Sequence, residues 1–529
     1  MIKDFIYSKC SFLFTEKAKT FGFYFLILLL CMAMTVKSTN YDFDLWARLI
    51  AGMAVVQTGQ LLKYDFLSYT STHEWYDHEW GSSVVFYLFQ NYFGTTGLLL
   101  LQILLFFGVM FLLIKTVKLK YGERCDYKNL LIYFVVLNAF CVTYHSLVRC
   151  QSFSFLFFMF ELYILELIRK SSNYKLLCIF PFLFLIWGNM HGGFASGLGL
   201  LILYTIGEAI NKKTFKYYLT TSCICPLMLF VNPYGVGYIK FLFDAITMPR
   251  PHVAEWFTIF SQYNYHLFLQ FKFLALFYLI IEGLKVKNNG FKWQTVDKTK
   301  FLVLIVTLAM AIKHVKLMPF FVLTGTLFCY EDVMNSFKQF KFPNWCTPVL
   351  TVFLTLFSVY LISAKNYNAL LDYRVYPVME VEFIKINKLK GKLLTNFGIG
   401  SYASYKLYPQ NKIYMDGRYE EVYEHSLLSD MSDLFLMRST KLLVENKPDI
   451  IILEKDYKNL YKYLKSDTNW YLAFDGLIYG VFIDKKLKKS NFLPPSGDMK
   501  YYKKTLFNTD IKFKGENSLD INKINKRGL

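Results

Sequence analysis

The sequence predicts a polytopic α-helical membrane protein that carries a small α/β domain after its last span. Three observations lead there. Of 529 residues, 54% are hydrophobic and only 19% charged, with mean hydropathy +0.30, less charge than a soluble chain of this length normally carries. Apolar runs near 20 residues recur as far as about residue 365, the length that crosses a hydrocarbon core of roughly 30 Å. Beyond 366 the charge rises and short β-rich runs alternate with helical ones, the pattern of an α/β unit.

Eleven spans are expected, near 20–37, 97–114, 129–145, 151–168, 176–190, 193–210, 217–231, 267–284, 298–313, 316–331 and 346–364. The first follows Lys3, Lys9, Lys17 and Lys19 and lacks a small-residue cleavage site, so it reads as an uncleaved anchor. Loops then alternate in charge. One set holds Lys115, Lys118, Lys120, Arg124 and Lys128, then Arg169, Lys170 and Lys175, then Lys212, Lys213 and Lys216, then Lys285, Lys287, Lys292, Lys298 and Lys300. By the positive-inside rule these loops and the N-terminus face the cytoplasm. The first loop at 38–96, the 232–266 loop and everything after 365 then face outward. Lys313-His314-Val315-Lys316 interrupts two apolar runs and reads as a tight outward turn. The net charge of +20 lies in these loops and the last 45 residues, not on a basic face interleaved with aromatics, which argues against nucleic acid.

Within the first loop Leu45, Leu49, Met53 and Val56 recur at helical spacing, predicting a short helix in the interface plane with its apolar face toward lipid. Gly59 ends it, and a second short helix covers Ser82 to Tyr92 before Gly94 and Gly97. The expected organisation is a membrane domain over 1–365, an α/β domain over 366–485, and a basic, flexible tail over 486–529. In the α/β domain Lys392–Thr395, Lys412–Met415, Ile450–Leu453 and Tyr479–Ile483 read as strands. Tyr402–Leu407, Ser426–Glu445 and Tyr457–Leu464 read as helices. No G-x-G-x-x-G or P-loop supports nucleotide binding. The ten cysteines form no C-x-x-C pair, and Cys223 and Cys225 are too close for a zinc spacing.

The chemistry concentrates between Asn40 and Trp80. Asp42 and Asp44 emerge just after the first span. Two carboxylates so placed can share one reacting centre, one taking a proton from a hydroxyl while the other orients it or helps hold a divalent cation. Capping of the following helix explains the same residues structurally. The run H-E-W-Y-D-H-E-W adds His73, Asp77, His78 and Glu79, with Trp75 and Trp80 beside them; its histidines are five apart, so it is not a helical H-E-x-x-H zinc site. The tryptophans can stack on a sugar or anchor the loop at the headgroups. At later span ends sit Arg149 and Gln151, Asn189, His191 and two glycines, Asn232-Pro233-Tyr234-Gly235, Glu255-Trp256, and Lys313, His314 and Lys316. Cations there can hold a lipid-linked phosphate or simply snorkel to the headgroups.

The ordered series resembles bacterial membrane proteins of the glycosyltransferase C (GT-C) superfamily. It comprises D-x-D-L-W with an amphipathic helix, D-F-L-S-Y-T, H-E-W, N-M-H-G-G-F from Asn189, N-P-Y-G from Asn232, Glu255-Trp256, the basic turn ending at Pro319 and Y-M-D-G-R from Tyr414. The resemblance covers roughly 20–485. It implies a many-span fold with a catalytic acid in the first outward loop and a polyprenyl-phosphate sugar as donor, transferred with inversion to an extracytoplasmic acceptor. Carried onto this chain, Asp44 or Asp42 is the base. His78, Glu79, Trp80, Arg149, His191, Glu255, Lys313 and His314 bind substrate. The setting is a bacterial inner membrane, with the N-terminus inside and the α/β domain outside. Ala47 and Arg48 stand where relatives often have Trp-His. The competing readings are a lipid-linked sugar flippase, against which the absence of paired half-sequences speaks, and a non-catalytic assembly protein. Sugar, acceptor, linkage, metal dependence and oligomeric state are not set by the sequence.

Overall fold

The computed structural model describes residues 16–37, 41–70, 73–122, 125–131, 133, 148–290, 292–337, 343, 345–364 and 375–526. The first part of the chain is helical: α1 (Glu16–Lys37), α2 (Leu45–Thr58), α3 (Trp80–Tyr121), α4 (Gln151–Ser171), α5 (Ile179–Met190), α6 (Phe194–Ile210), α7 (Lys216–Ile224), α8 (Val236–Thr247), α9 (Leu269–Asn288), α10 (Lys298–Lys313), α11 (Met318–Phe328), α12 (Tyr330–Ser336) and α13 (Cys346–Ser363). Four of these, α1, α3, α4 and α13, are long and apolar enough to cross a membrane, or five if the pair meeting at 57° over Val315–Ser336 is one span. The expected eleven are thus not confirmed among the described residues. The remaining apolar runs form helices that are too short or too charged. Pro226 turns the 217–231 run into nine-residue α7 and a 3₁₀ turn, α5 has 12 residues behind a 3₁₀ turn, and α9 carries Lys272, Glu282, Lys285 and Lys287. The expected span at 129–145 lies mostly outside the described residues. Gly94, in a left-handed conformation (φ 57°), breaks α3 where the sequence predicts a boundary. At His314 the chain leaves α10 and enters α11 through a 3₁₀ turn, so 298–331 is two helices and not one.

The second part is an α/β unit: α14 (Val378–Ile386), β1 (Gly391–Leu394), α15 (Gly400–Leu407), β2 (Asn411–Ile413), α16 (Tyr419–Val422), α17 (His425–Phe435), α18 (Lys441–Glu445), β3 (Ile450–Glu454), α19 (Lys458–Ser466), β4 (Trp470–Asp475) and β5 (Tyr479–Asp484). The sheet order is β2-β1-β3-β5-β4. β1 pairs parallel with β2 and β3, and β5 antiparallel with β3 and β4. The four expected strands are present. β4, with weakly patterned W-Y-L-A-F-D, is additional, and the helix expected over 426–445 breaks into α17 and α18.

Two features position the site. The helix expected to lie against lipid is buried instead: Leu45 to Ala54 of α2 are all inside. Its core is continuous with that of the α/β unit. Trp46 Nε1 donates to Tyr376 Oη (3.3 Å), which donates to the Tyr41 carbonyl (3.0 Å). The first loop then adds itself to the sheet edge, with Tyr69 N–H donating to the Ile413 carbonyl and Ile413 N–H to that of Leu67, each at 3.0 Å, closing the exposed side of β2. The tail read as flexible is also packed. Tyr502, Leu506, Ile511, Phe513, Ile521 and Ile524 are buried among its lysines. Asn525 accepts from Lys63 N–H (2.8 Å) and donates to the Leu61 carbonyl (2.9 Å). High charge there coexists with enough regularly placed apolar residues to repay ordering.

Candidate active site

A cavity of about 130 Å³ opens where the two parts meet. Asp42 and Asp44 reach it from the start of α2, His78 and Glu79 from the start of α3, and Arg149 and Gln151 from the start of α4. His191 comes from the α5–α6 turn, Arg250, Glu255 and Trp256 from the loop before α9, Lys316 from the 3₁₀ turn, and Gly417 and Tyr419 to Glu421 from the α/β unit. Seven of the expected residues thus share one space: Asp42, Asp44, His78, Glu79, Arg149, His191 and Glu255.

Three do not line it. Trp80 turns away and donates from Nε1 to Asn189 Oδ1 (2.9 Å). Lys313 is exposed at the end of α10. His314 packs behind, its Nδ1 2.6 Å from the Trp256 carbonyl. The 3₁₀ turn instead delivers Lys316, whose Nζ lies 3.8 Å from the centre of the Trp256 ring; Arg250 stacks on the same ring at 4.3 Å.

The two aspartates are not equivalent. Asp42 is buried; it accepts the Asp44 N–H (3.1 Å) and pairs with Arg149 Nε (3.0 Å). Asp44 sits at the N-cap of α2 without a side-chain capping bond. Its carboxylate, 42% exposed, faces the cavity 3.8 Å from Arg149 Nη2. Enclosure in the cleft and then the neighbouring Asp42 charge hold the Asp44 carboxyl well above the usual carboxylate range; burial, opposed by Arg149, raises Asp42 as well. Arg149 also donates to both Glu255 oxygens (3.1 and 3.3 Å). Burial works against ionisation of Glu255, but Arg149 and Lys316 outweigh it and hold the carboxyl down at about 2. Burial lowers the Lys316 ammonium, which has no carboxylate within ion-pair distance among the described residues.

Behind the cavity wall lies a buried charge cluster centred on Arg48. Its guanidinium donates to Asp77 and to both oxygens of Glu421 (2.8 and 2.9 Å), with Nε 3.1 Å from Glu79. Trp75 Nε1 donates to Glu421 (2.8 Å), and His78 Nδ1 lies 2.9 Å from it. Burial disfavours the His78 cation, but its bond to Glu421 wins and raises the imidazole to about 9. Burial, opposed by Glu79 and helped by the charges of His78, Lys316 and Arg149, lowers His191 to about 3. Its tautomer follows from donor bookkeeping. Nδ1 accepts from Gly193 N–H (2.9 Å) and lies 2.7 Å from Ser154 Oγ, which itself accepts from Trp187 Nε1 (2.7 Å). The Ser154 proton is therefore directed to Nδ1, and Nε2 carries the ring hydrogen, 3.4 Å from Glu79.

His78, Glu79 and Glu421 lie close enough to share a metal ion, yet the donors are engaged. Arg48 takes both Glu421 oxygens, and a protonated imidazole cannot ligate. The Asp42, Asp44 and Glu255 carboxylates likewise surround the Arg149 guanidinium.

Sequence reasoning named Asp77 among the acids of the first loop and Arg48 only as a departure from relatives; it missed Arg250, Glu420 and Glu421. Arg48 did leave a signal, a lone charge in an apolar helical stretch, which demands buried partners. Glu421 left none beyond its place after D-G-R. That motif has a bracing role. Arg418 pairs with Asp65 (2.6 Å) and Asp416 (2.9 Å) and lies over Trp75 (4.7 Å), all inside the core. It sets Gly417 against Asp44, where an added Cβ would overlap the carboxylate. A second groove of about 230 Å³, with Phe155, Phe268, Val315, Met318 and Pro319 on its walls, shares Arg149, Gln151, Glu255 and Lys316 with the cavity.

No protein-family model matches the chain, and no curated protein sequence does. Solved structures do. The oligosaccharyltransferase AglB from Archaeoglobus fulgidus, in complex with an inhibitory peptide and a dolichol-phosphate, superimposes with a TM-score of 0.55 at 8% identity, covering 92% of this chain and 77% of that one. The apo form of the Archaeoglobus fulgidus enzyme gives 0.52 at 8% identity over 83% and 70%. ArnT from Cupriavidus metallidurans, bound to undecaprenyl phosphate, gives 0.50 at 11% identity over 90% and 100%. The arrangement of apolar helices and α/β unit in this chain is thus the fold that these solved structures share.

Proposed function

We propose that the protein is a membrane glycosyltransferase that moves a sugar from a polyprenyl-phosphate donor to a hydroxyl acceptor on the outer side of a bacterial inner membrane. One observation carries this reading. Asp44 opens into a cavity that is also lined by Arg149, 3.8 Å from its carboxylate, and by Lys316, and those same two cations border the apolar groove. A lipid phosphate seated at that border places its chain in the groove and its sugar toward Asp44. The acceptor oxygen attacks C1 and the C1–O bond to phosphate breaks. The acceptor proton passes to Asp44, and the negative charge gathered on the leaving phosphate meets Arg149 and Lys316. A single displacement of this kind inverts the anomeric centre. Asp42 holds Arg149 and the Asp44 backbone in place. Lys316, stacked on Trp256, fills the role that the sequence assigned to Lys313 and His314.

Transfer from a polyprenyl-phosphate sugar, scored by release of free carrier in membranes, tests this. Asp44→Asn should lower the rate by at least about 10²-fold, the scale of general-base catalysis. Asp42→Asn retains more activity and moves the acid limb to lower pH, because removing the Asp42 charge relieves one of the causes that raise Asp44. Unchanged release in both variants would reject the assignment.

A further inference from the structure

A second cavity, of about 430 Å³, lies between α9 and α10. It is not connected to the chemistry above. Lys316 follows the C-terminal end of α10, whereas the mouth of this groove is at the N-terminal end. A 16-residue helix places the two about 24 Å apart.

The groove is divided by polarity. Its depth is lined by Leu279, Leu304, Ile305, Leu308 and Phe321, and its mouth by Lys285, Asn289, Lys292, Asp297 and Lys300. The flanks, Leu279, Leu284 and Ile305, are each about half exposed. A Cβ added at Gly283 would meet nothing, so the groove is open there. The carboxylates at the mouth are already engaged. Glu282 pairs with Lys300 (2.6 Å). Asp297 accepts from Arg169 (2.9 Å) and caps α10. Asp332, just behind, takes Lys285 and Lys300 (2.9 and 2.7 Å). Of the lining lysines, exposed Lys292 alone has no carboxylate within ion-pair distance among the described residues; Lys298, outside the lining, is held by the Trp293 and Val296 carbonyls (2.7 Å each). The mouth therefore carries an unpaired cation above an apolar slot that is open at the surface.

We propose that this groove is a binding site for one anionic phospholipid, with an acyl chain in the slot and the phosphate at Lys292. Basic pockets between membrane helices bind acidic headgroups by this combination of charge and apolar contact. The lipid makes the lysine-rich helix ends part of a closed surface and ties α9 to α10.

The test is native mass spectrometry of the full chain, purified with equal phosphatidylglycerol and phosphatidylcholine of matched chains. The wild type should retain one phosphatidylglycerol in preference. Lys292→Gln should weaken retention about fivefold, the equivalent of about 1 kcal/mol for one basic residue near an anionic headgroup. Gly283→Trp fills the slot while removing a glycine from a helix and should abolish retention; Gly283→Leu serves the same purpose if the larger side chain prevents folding. Asp44→Asn leaves retention unchanged, which separates this site from the catalytic reading. Equal retention of both lipids, retention by a folded Gly283→Trp variant, or replacement of phosphatidylglycerol by undecaprenyl phosphate would each overturn the proposal.

Discussion

Arg48→Met is the sharpest test of how the two parts of the chain are held together. Arg48 is 4% exposed, and its partners Asp77, Glu79 and Glu421 are 3%, 13% and 1% exposed. Two of them come from the first loop and one from the α/β unit, so the guanidinium is the charge that lets this interface close. Methionine keeps the apolar stem and removes the cation, leaving three buried acids beside one imidazolium. Removing one partner of a buried ion pair costs about 3–5 kcal/mol. At roughly 2–4 °C per kcal/mol for units of this size, the apparent melting temperature should fall on the order of 10 °C. The deficit must depend on pH. Burial already raises Asp77 to about 6 against the pull of Arg48. Without that pull the acids rise further, and protonating them relieves the repulsion. The variant should therefore be closer to wild type at pH 5.5 than at pH 8. Adding Glu421→Gln and Asp77→Asn should restore much of the loss. Thermal unfolding of purified protein at both pH values reads this directly. An Arg48→Met protein that melts with the wild type at pH 8 would show that the cluster is solvated and that the clamp argument is wrong.

Three further outcomes follow from the same geometry. The His78 imidazole is raised to about 9, so its stabilising contribution is complete below the ordinary value near 6.5 and disappears as pH rises through 9; His78→Asn should flatten that alkaline fall in melting temperature. Gly417→Ala pushes a methyl group into the Asp44 carboxylate; a displacement near 1 Å should cost on the order of 10²-fold in transfer rate with the melting temperature little changed. Ser154→Ala removes the hydroxyl directed at His191 Nδ1, so the imidazole should gain a proton at higher pH in an NMR titration of the ring, while Ser154→Thr restores it.

Composition and run length alone established a membrane protein followed by an α/β unit, because long apolar spans and short β-branched runs such as Ile450–Glu454 leave direct marks on a sequence. They also found most of the polar residues that converge, since a charge at a span end is costly to place and therefore conspicuous. They did not determine how many apolar runs are spans. That depended on Pro226 and the 3₁₀ turns, which shorten helices without changing hydropathy. Nor did they show that α2 is buried. An apolar stripe is the same whether lipid or protein covers it, and only the docking of Trp46 among Tyr376, Tyr402 and Tyr405 decided which. The pairing of Arg48 with Glu421 spans 373 residues, and the choice of Lys316 over Lys313 rests on the rotation of a single 3₁₀ turn. Such partners are set by where distant segments meet in space. No local pattern records them, because the energy that selects them is Coulombic and desolvation energy, which exists only once the segments have closed around each other.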